Sequence, residues 1–264
     1  MCHTKGRYTS DLSDVEWEAL REWLPLEHQG PGRPIEIDMR EAVNAMLYVN
    51  KTGCQWENLP REFPAHQSVY YHFRKWCRNG IWEQVNRRLV YQARRAEGRC
   101  PHPSAAVMDS QSVKTTEVGG ISGYDAGKKV KGRKRHILVD TRGHLLKVVV
   151  HSANIQDRDG AKLLLNAILS ITRLRLLIIW ADGGYRGELV TWCWEQMKTL
   201  LKIVVPPPTQ TGFAVLPRRW VVERTFAWMG NHRRLSKDYE ECTRSSEGMI
   251  YLASIRTLLK RLPA

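Results

Sequence analysis

The chain predicts a mixed α/β domain preceded by a small all-helical one, and three observations carry that prediction. The first hundred residues hold short apolar stripes at helical spacing, opened by residues suited to capping. The segment RRAEGRCPHPS, rich in charge, Gly and Pro, reads as a linker. Beyond it, short apolar runs alternate with helical periodicities, as expected of strands covered by helices. A length of 264 residues can bury a small core plus a medium one, so the expected units are residues 1–97 and 98–264.

In the first unit, Asp11 or Ser13 caps a helix through Trp17, Leu20 and Leu24 that Pro25 ends. After the loop GPGRP, Asp38 caps a second helix carrying Ala42, Ala45, Met46 and Val49. HQSVYYHFRKWCRNG reads as a third, with Val69, Phe73 and Trp76 on one face, His72, Arg74, Lys75 and Arg78 elsewhere around it, and Gly80 as its stop. A fourth runs from about Trp82 to Arg95. Short helices joined by tight turns, the third basic and aromatic, fit a helix-turn-helix DNA reader.

In the second unit, SAAVMDS is a strand ending in Asp109. HILVD and LLKVVVHS flank the turn TRGH as a hairpin, and DRDGAKLLLNAILSI has helical spacing. LRLLIIWADGGY is an apolar strand ending at Asp182; GELVTWCWEQM reads as helix and LKIVV as strand. PPPTQTG reads as loop, then PRRWVVERTFAWMGNHRRL as a helix opened by Pro217. A final amphipathic helix spans Glu247 to Leu262.

An excess of 41 Lys+Arg over 27 Asp+Glu, a formal charge of +14, points to a polyanionic partner, with nucleic acid first. Neither an 18-residue apolar run nor a signal-peptide-like start is present, so the expectation is a cytoplasmic, nucleoid-associated protein with no membrane partner. Cys2, Cys54, Cys77, Cys100, Cys193 and Cys242 form no CxxC pair, which argues against a zinc knuckle, a redox motif or a disulfide framework.

Two aspartates at strand ends, Asp109 in AVMDSQS and Asp182 in IIWADGG, stand where open α/β sheets place their sites, although either could simply cap its turn. Glu223 borders the stripe Val222, Phe226 and Met229 and can lean over the sheet edge, or else pair with Arg219 one turn away. Three converging carboxylates amid positive charge suit phosphodiester chemistry on two divalent ions, which need hard oxygen ligands. Between the first two acids, GYDAGKKVKGRKRH offers Lys128, Lys129, Lys131, Arg133, Lys134 and Arg135 to phosphates, and Arg233, Arg234 and Lys237 extend the track.

These runs, with TGCQWENLPREFP and VYYHFRKW in the front half, closely resemble the DDE transposases of the insertion-sequence-five family over nearly the whole chain. The resemblance implies an RNase H-like catalytic fold and Asp109, Asp182 and Glu223 as catalytic, metal-holding triad in MDS, WADGG and VVERT. It implies two Mg²⁺ ions (Mn²⁺ as substitute), terminal inverted repeats and target DNA as partners, and a homodimer or larger assembly on DNA. The spacing leaves little room for the large insertion some relatives carry before the glutamate. In the related Tyr-x2-Arg-x3-Glu-x6-Lys signature, Arg219 and Glu223 match, but Leu216 and Gly230 stand at the tyrosine and lysine positions, which transfers that lysine's role to Arg233 or Arg234. Two other readings compete: an RNase H-like nuclease without strand transfer, and a non-catalytic DNA-binding regulator.

Overall fold

A computed structural model describes residues 7–26, 36–169, 171, 176–205 and 218–261. GPGRP, PPPTQTG, Leu216, Pro217 and Cys2 lie outside these residues.

Helix α1 (Asp14–Arg21) starts at Ser13, whose hydroxyl accepts from the Glu16 N–H while the Glu16 carboxylate accepts from the Ser13 N–H. This reciprocal box satisfies two N–H groups that a helix start would otherwise leave orphaned. Helix α2 (Met39–Thr52) starts at Asp38, whose carboxylate accepts from Arg40 and Glu41, and ends at Gly53 with φ +76°. Helices α3 (His66–Arg78) and α4 (Ile81–Ala96) meet at Gly80, also left-handed at φ +67°. Both turns need a backbone conformation that costs glycine little. On α3, Val69, Phe73 and Trp76 are buried as expected and Arg74, Lys75 and Arg78 are exposed; His72, expected outside the apolar face, is buried with it.

Six strands follow: β1 (Ala105–Lys114), β2 (Gly123–Asp125), β3 (Val130–Asp140), β4 (Leu145–Ser152), β5 (Ile178–Ala181) and β6 (Leu200–Ile203). Their order is β2-β3-β1-β5-β6, with β4 also beside β3. The β3 pairings are antiparallel, whereas β1, β5 and β6 run parallel. Helices α5 (Asp157–Leu169), α6 (Glu188–Met197), α7 (Trp220–Gly230) and α8 (Thr243–Leu259), with three short 3-10 turns, make up the other elements of the described residues. An antiparallel half joined to a parallel half through a central first strand is an RNase H-like sheet.

Three expectations need correction. Asp109 does not end its strand: β1 continues to Lys114 because β3 pairs with it along that whole length. In the basic run before His136, Lys131 to Arg135 already belong to strand β3, and Arg133, Lys134 and Arg135 are buried instead of being offered to phosphates. The last helix is not amphipathic. It lies among α2, α3, α4, α7 and β4, so nearly its whole circumference is covered.

That last feature joins the two halves. Asn50 donates to the Met249 carbonyl at 2.9 Å and Asn86 to the Leu145 carbonyl at 2.8 Å, while Ser254 donates to Asn86 at 2.7 Å. The apolar core is continuous from Leu12 to Leu259 across the loop near residue 97. No helix among the described residues is long and apolar enough to cross a membrane.

Candidate catalytic centre

The parallel pairing of β1 with β5 sets two of the three acids side by side. Val107 is in register with Trp180, and Asp109 and Asp182 each stand two residues further on. Equal parity places both on the same face of the sheet, on adjacent strands. The Ser110 N–H donates to Asp109 Oδ1 at 2.7 Å, and the Gly184 N–H to Asp182 Oδ1 at 2.8 Å. Asp182 therefore does cap its turn, yet its other oxygen remains available.

Glu223 comes from the first turn of α7, and one cation links all three acids. Nη2 of Arg219 lies 3.8 Å from Asp109 Oδ2, 3.9 Å from Asp182 Oδ2 and 3.3 Å from Glu223 Oε1. The pairing of Glu223 with Arg219 one turn away is thus present, and so is the convergence; the same guanidinium provides both. Sharing one nitrogen keeps any two of these oxygens within about 8 Å, the span across two metal ions held at ordinary metal–oxygen distances.

The electrostatics are those of crowded acids. Burial pushes the Asp109 carboxyl up to about 6 and Asp182 adds to the rise, against the Ser110 N–H, Arg219 and Lys128. An all-oxygen set with excess negative charge matches what a divalent cation requires. Among the described residues, however, no three His, Cys, Asp or Glu side chains stand close enough to hold one ion in this arrangement. Arg219 takes the central position, so a metal would hold these acids only with that side chain turned away.

The centre includes groups that the sequence reading passed over. Asp157, which opens α5, takes a hydrogen bond from Ser110 Oγ at 3.0 Å and lies 2.8 Å from Lys134 Nζ. Burial opposes its ionisation, but Lys134 and Lys128 hold its pKa below the ordinary value. Behind it, His151 Nδ1 donates to the Ser152 carbonyl, which can only accept. His151 Nε2 is then the acceptor for His136 Nδ1 at 2.8 Å, and neutral His136 turns Nε2 toward Asp157. A Cβ on Gly160 would sit 2.4 Å from one ring and 2.5 Å from the other, so α5 approaches this closely only with glycine there. Tyr185 is buried, and burial together with Asp109 and Asp157 raises its pKa, with Ser110 opposing the rise. A carboxylate at the start of a helix directly after a strand, in NIQDRDG, was the available signal for Asp157.

The basic residues separate into two groups. Arg74, Lys75, Arg78, Lys128, Lys129, Lys131, Arg233 and Lys237 are exposed. Lys128 also reaches inward to the Ser110 carbonyl and hydroxyl, at 3.0 and 3.1 Å. Arg133, Lys134, Arg135 and Arg234 are buried, which corrects their expected place on a phosphate track. Arg133 donates to the carbonyls of Ile121, Glu240 and Glu241 and to Ser246, and pairs with Asp238. Lys134 binds Asp125, Asp157 and the Ile155 carbonyl, Arg135 the carbonyls of Leu235 and Lys237, and Arg234 pairs with Glu240. A buried cation persists when its donors are met in this way; apart from Arg135 Nε, which has no partner among the described residues but is itself buried, these donors are taken up within the protein.

Among known proteins, the family model described as "Transposase DDE domain" matches residues 101–258. A second model, described for transposases of the IS4/5 family, matches residues 12–86. A Burkholderia cepacia protein named as a transposase for insertion sequence element IS402 is 31% identical over 115 residues, 41% of this chain and 54% of that protein. The chain thus spans about half the length of that relative. A 16.2 kDa protein of the same element is 28% identical over 114 residues, 41% of this chain and 76% of that protein. Protein y4sN of Sinorhizobium fredii is 26% identical over 86 residues, 33% of this chain and 66% of that protein. No solved structure matches the chain at comparable stringency.

Proposed function

The chain belongs to the transposase DDE domain family, and from that premise we propose that it binds the terminal inverted repeats of an insertion sequence, cleaves them and joins their 3′-hydroxyl ends to target DNA. Residues 1–97 are the end-binding unit and residues 98–264 the catalytic one. The observation that carries this reading is the meeting of Asp109, Asp182 and Glu223 on one guanidinium nitrogen.

In this reading the three carboxylates hold two divalent ions, Mg²⁺ or Mn²⁺. When bound, these supply Lewis-acid activation of the attacking oxygen and stabilise the leaving one. The chain's own residues do the rest. Arg219 neutralises the acids before DNA arrives and then turns its fork to a phosphate, whose geometry suits two parallel N–H donors. Lys128 fixes Ser110, and through it the backbone that holds Asp109. The exposed cations of α3 and of the turn before β3 take up backbone phosphates.

The test uses duplexes carrying the ends of the encoding element, with Mg²⁺. The native chain should cleave them and join pre-cleaved 3′-hydroxyl ends to a second duplex. Glu223→Gln should lower both activities by about a thousandfold, the several kcal/mol that metal-borne charge stabilisation supplies. Cleavage without joining would reduce the protein to a nuclease, and undiminished joining by Glu223→Gln would overturn the mechanism.

A further inference from the structure

A second concentration of positive charge lies away from the acids, at the seam between the first helices and α7 and α8. There a pocket of 280 Å³ is lined by Lys51, Arg256, Lys260 and Arg261 with Ser10 and His232. Among the described residues no carboxylate lines it. Arg256 is engaged by Glu16, and Lys51 gives one N–H to the Asn231 carbonyl at 2.7 Å. Lys260 and Arg261 are exposed and make no ion pair among the described residues.

Ser10 Oγ and His232 Nδ1, on two of the lining residues, are buried and have no hydrogen-bond partner among the described residues. Arg261 stacks at 4.0 Å on the Trp228 ring, whose other neighbour is Arg224 at 4.4 Å. Stacking orients the guanidinium while leaving its N–H edge to face an anion.

We propose that this pocket is a subsite for a phosphodiester group of DNA. It would grip bound DNA across the seam between the two halves, at a point separate from the acids. The inference rests on the DNA-binding reading above and adds a site to it. Convergent Arg and Lys side chains recognise tetrahedral oxyanions, and the acids beside Arg256 and Arg261, Glu16 and Glu97, are already paired with Arg256 and Arg142. Trp228 follows Glu223 by about 8 Å along the axis of α7, so the pocket and the acids are both built on that helix.

His232 reports on occupancy. Burial, then Lys51, Lys260 and Arg256, hold its pKa down to about 4, and of these cations Arg256 is itself paired with Glu16. An anion in the pocket should raise it. The experiment follows the His232 ring signals of the full-length chain by NMR while a 20-base-pair duplex, or pyrophosphate alone, is added in EDTA. Duplex affinity is measured in parallel against salt. Duplex should raise the His232 pKa by at least one pH unit, and Lys260→Ala/Arg261→Ala should abolish that response. The double variant should also flatten the salt slope by about 0.9 for each phosphate it no longer neutralises. Lys260→Ala alone, at an exposed position, serves if loss of the Trp228 stack unfolds the chain. Native-like binding and slope in both variants would overturn the subsite while leaving the DNA-binding reading intact. A response to pyrophosphate but not to duplex would overturn it too, as a free-phosphate site. A chain that binds no duplex anywhere contradicts the DNA-binding reading itself.

Discussion

Asp109→Asn should stabilise the protein in the absence of metal while removing its activity. The Asp109 side chain is only 16% exposed, and its pKa of about 6 compares with an ordinary 3.8. Folding therefore favours the protonated acid. Between about pH 4 and 6 the native state holds the extra proton and stability falls as pH rises; above about pH 6 the whole cost is present. Two pH decades at about 1.4 kcal/mol each make roughly 3 kcal/mol, an upper bound. An asparagine keeps an oxygen for the Ser110 N–H and carries no charge. In EDTA at pH 7.5, Asp109→Asn should raise the melting temperature by about 3–10 °C. Glu223→Gln, at a 53% exposed side chain, should change stability by less than about 0.5 kcal/mol. Saturating Mg²⁺ should stabilise the native chain and shrink the gap. Thermal melts followed by fluorescence decide it: a lower or unchanged melting temperature for Asp109→Asn would refute the picture of a carboxylate strained by burial and crowding.

Other substitutions separate the roles of the basic residues. Arg219→Gln should tighten Mn²⁺ binding to the free protein about tenfold, because it removes a cation that competes for the same oxygens, and should weaken end binding; titration by electron paramagnetic resonance and a duplex-binding assay read the two effects. Arg133→Ala strands Asp238 in the interior and should cost about 3–5 kcal/mol in urea unfolding. Arg74→Ala and Arg78→Ala, on the exposed face of α3, should leave stability within about 0.5 kcal/mol and each lower the salt slope of DNA binding by about 0.9.

Much of the fold could be read from local chemistry. Ser13, Asp38 and Gly80 mark helix ends because capping and left-handed turns depend on a few adjacent residues, and the strand and helix periods of the second half depend on alternation alone. The course of β1 past Asp109 could not be read that way. It is fixed by pairing with a strand whose basic residues look like a loop until their partners, Asp238, Asp157 and the Leu235 carbonyl, arrive from distant parts of the chain. The same holds for α8, whose Ser and Gly positions are buried because other helices cover them. In the site, the three acids could be picked out by their motifs. Asp157 could not, since only packing of α5 against β3 and β4 brings it to Ser110. Nor did a carboxylate pattern reveal that Arg219 would stand between all three acids.

Anomalous diffraction from crystals soaked in Mn²⁺ would examine the metal assignment itself. Manganese peaks coordinated at about 2.1–2.2 Å by oxygens of Asp109, Asp182 and Glu223, with Arg219 turned outward, are what the account predicts. Manganese bound elsewhere, or the three carboxylates still closed on Arg219 at saturating metal, would contradict it.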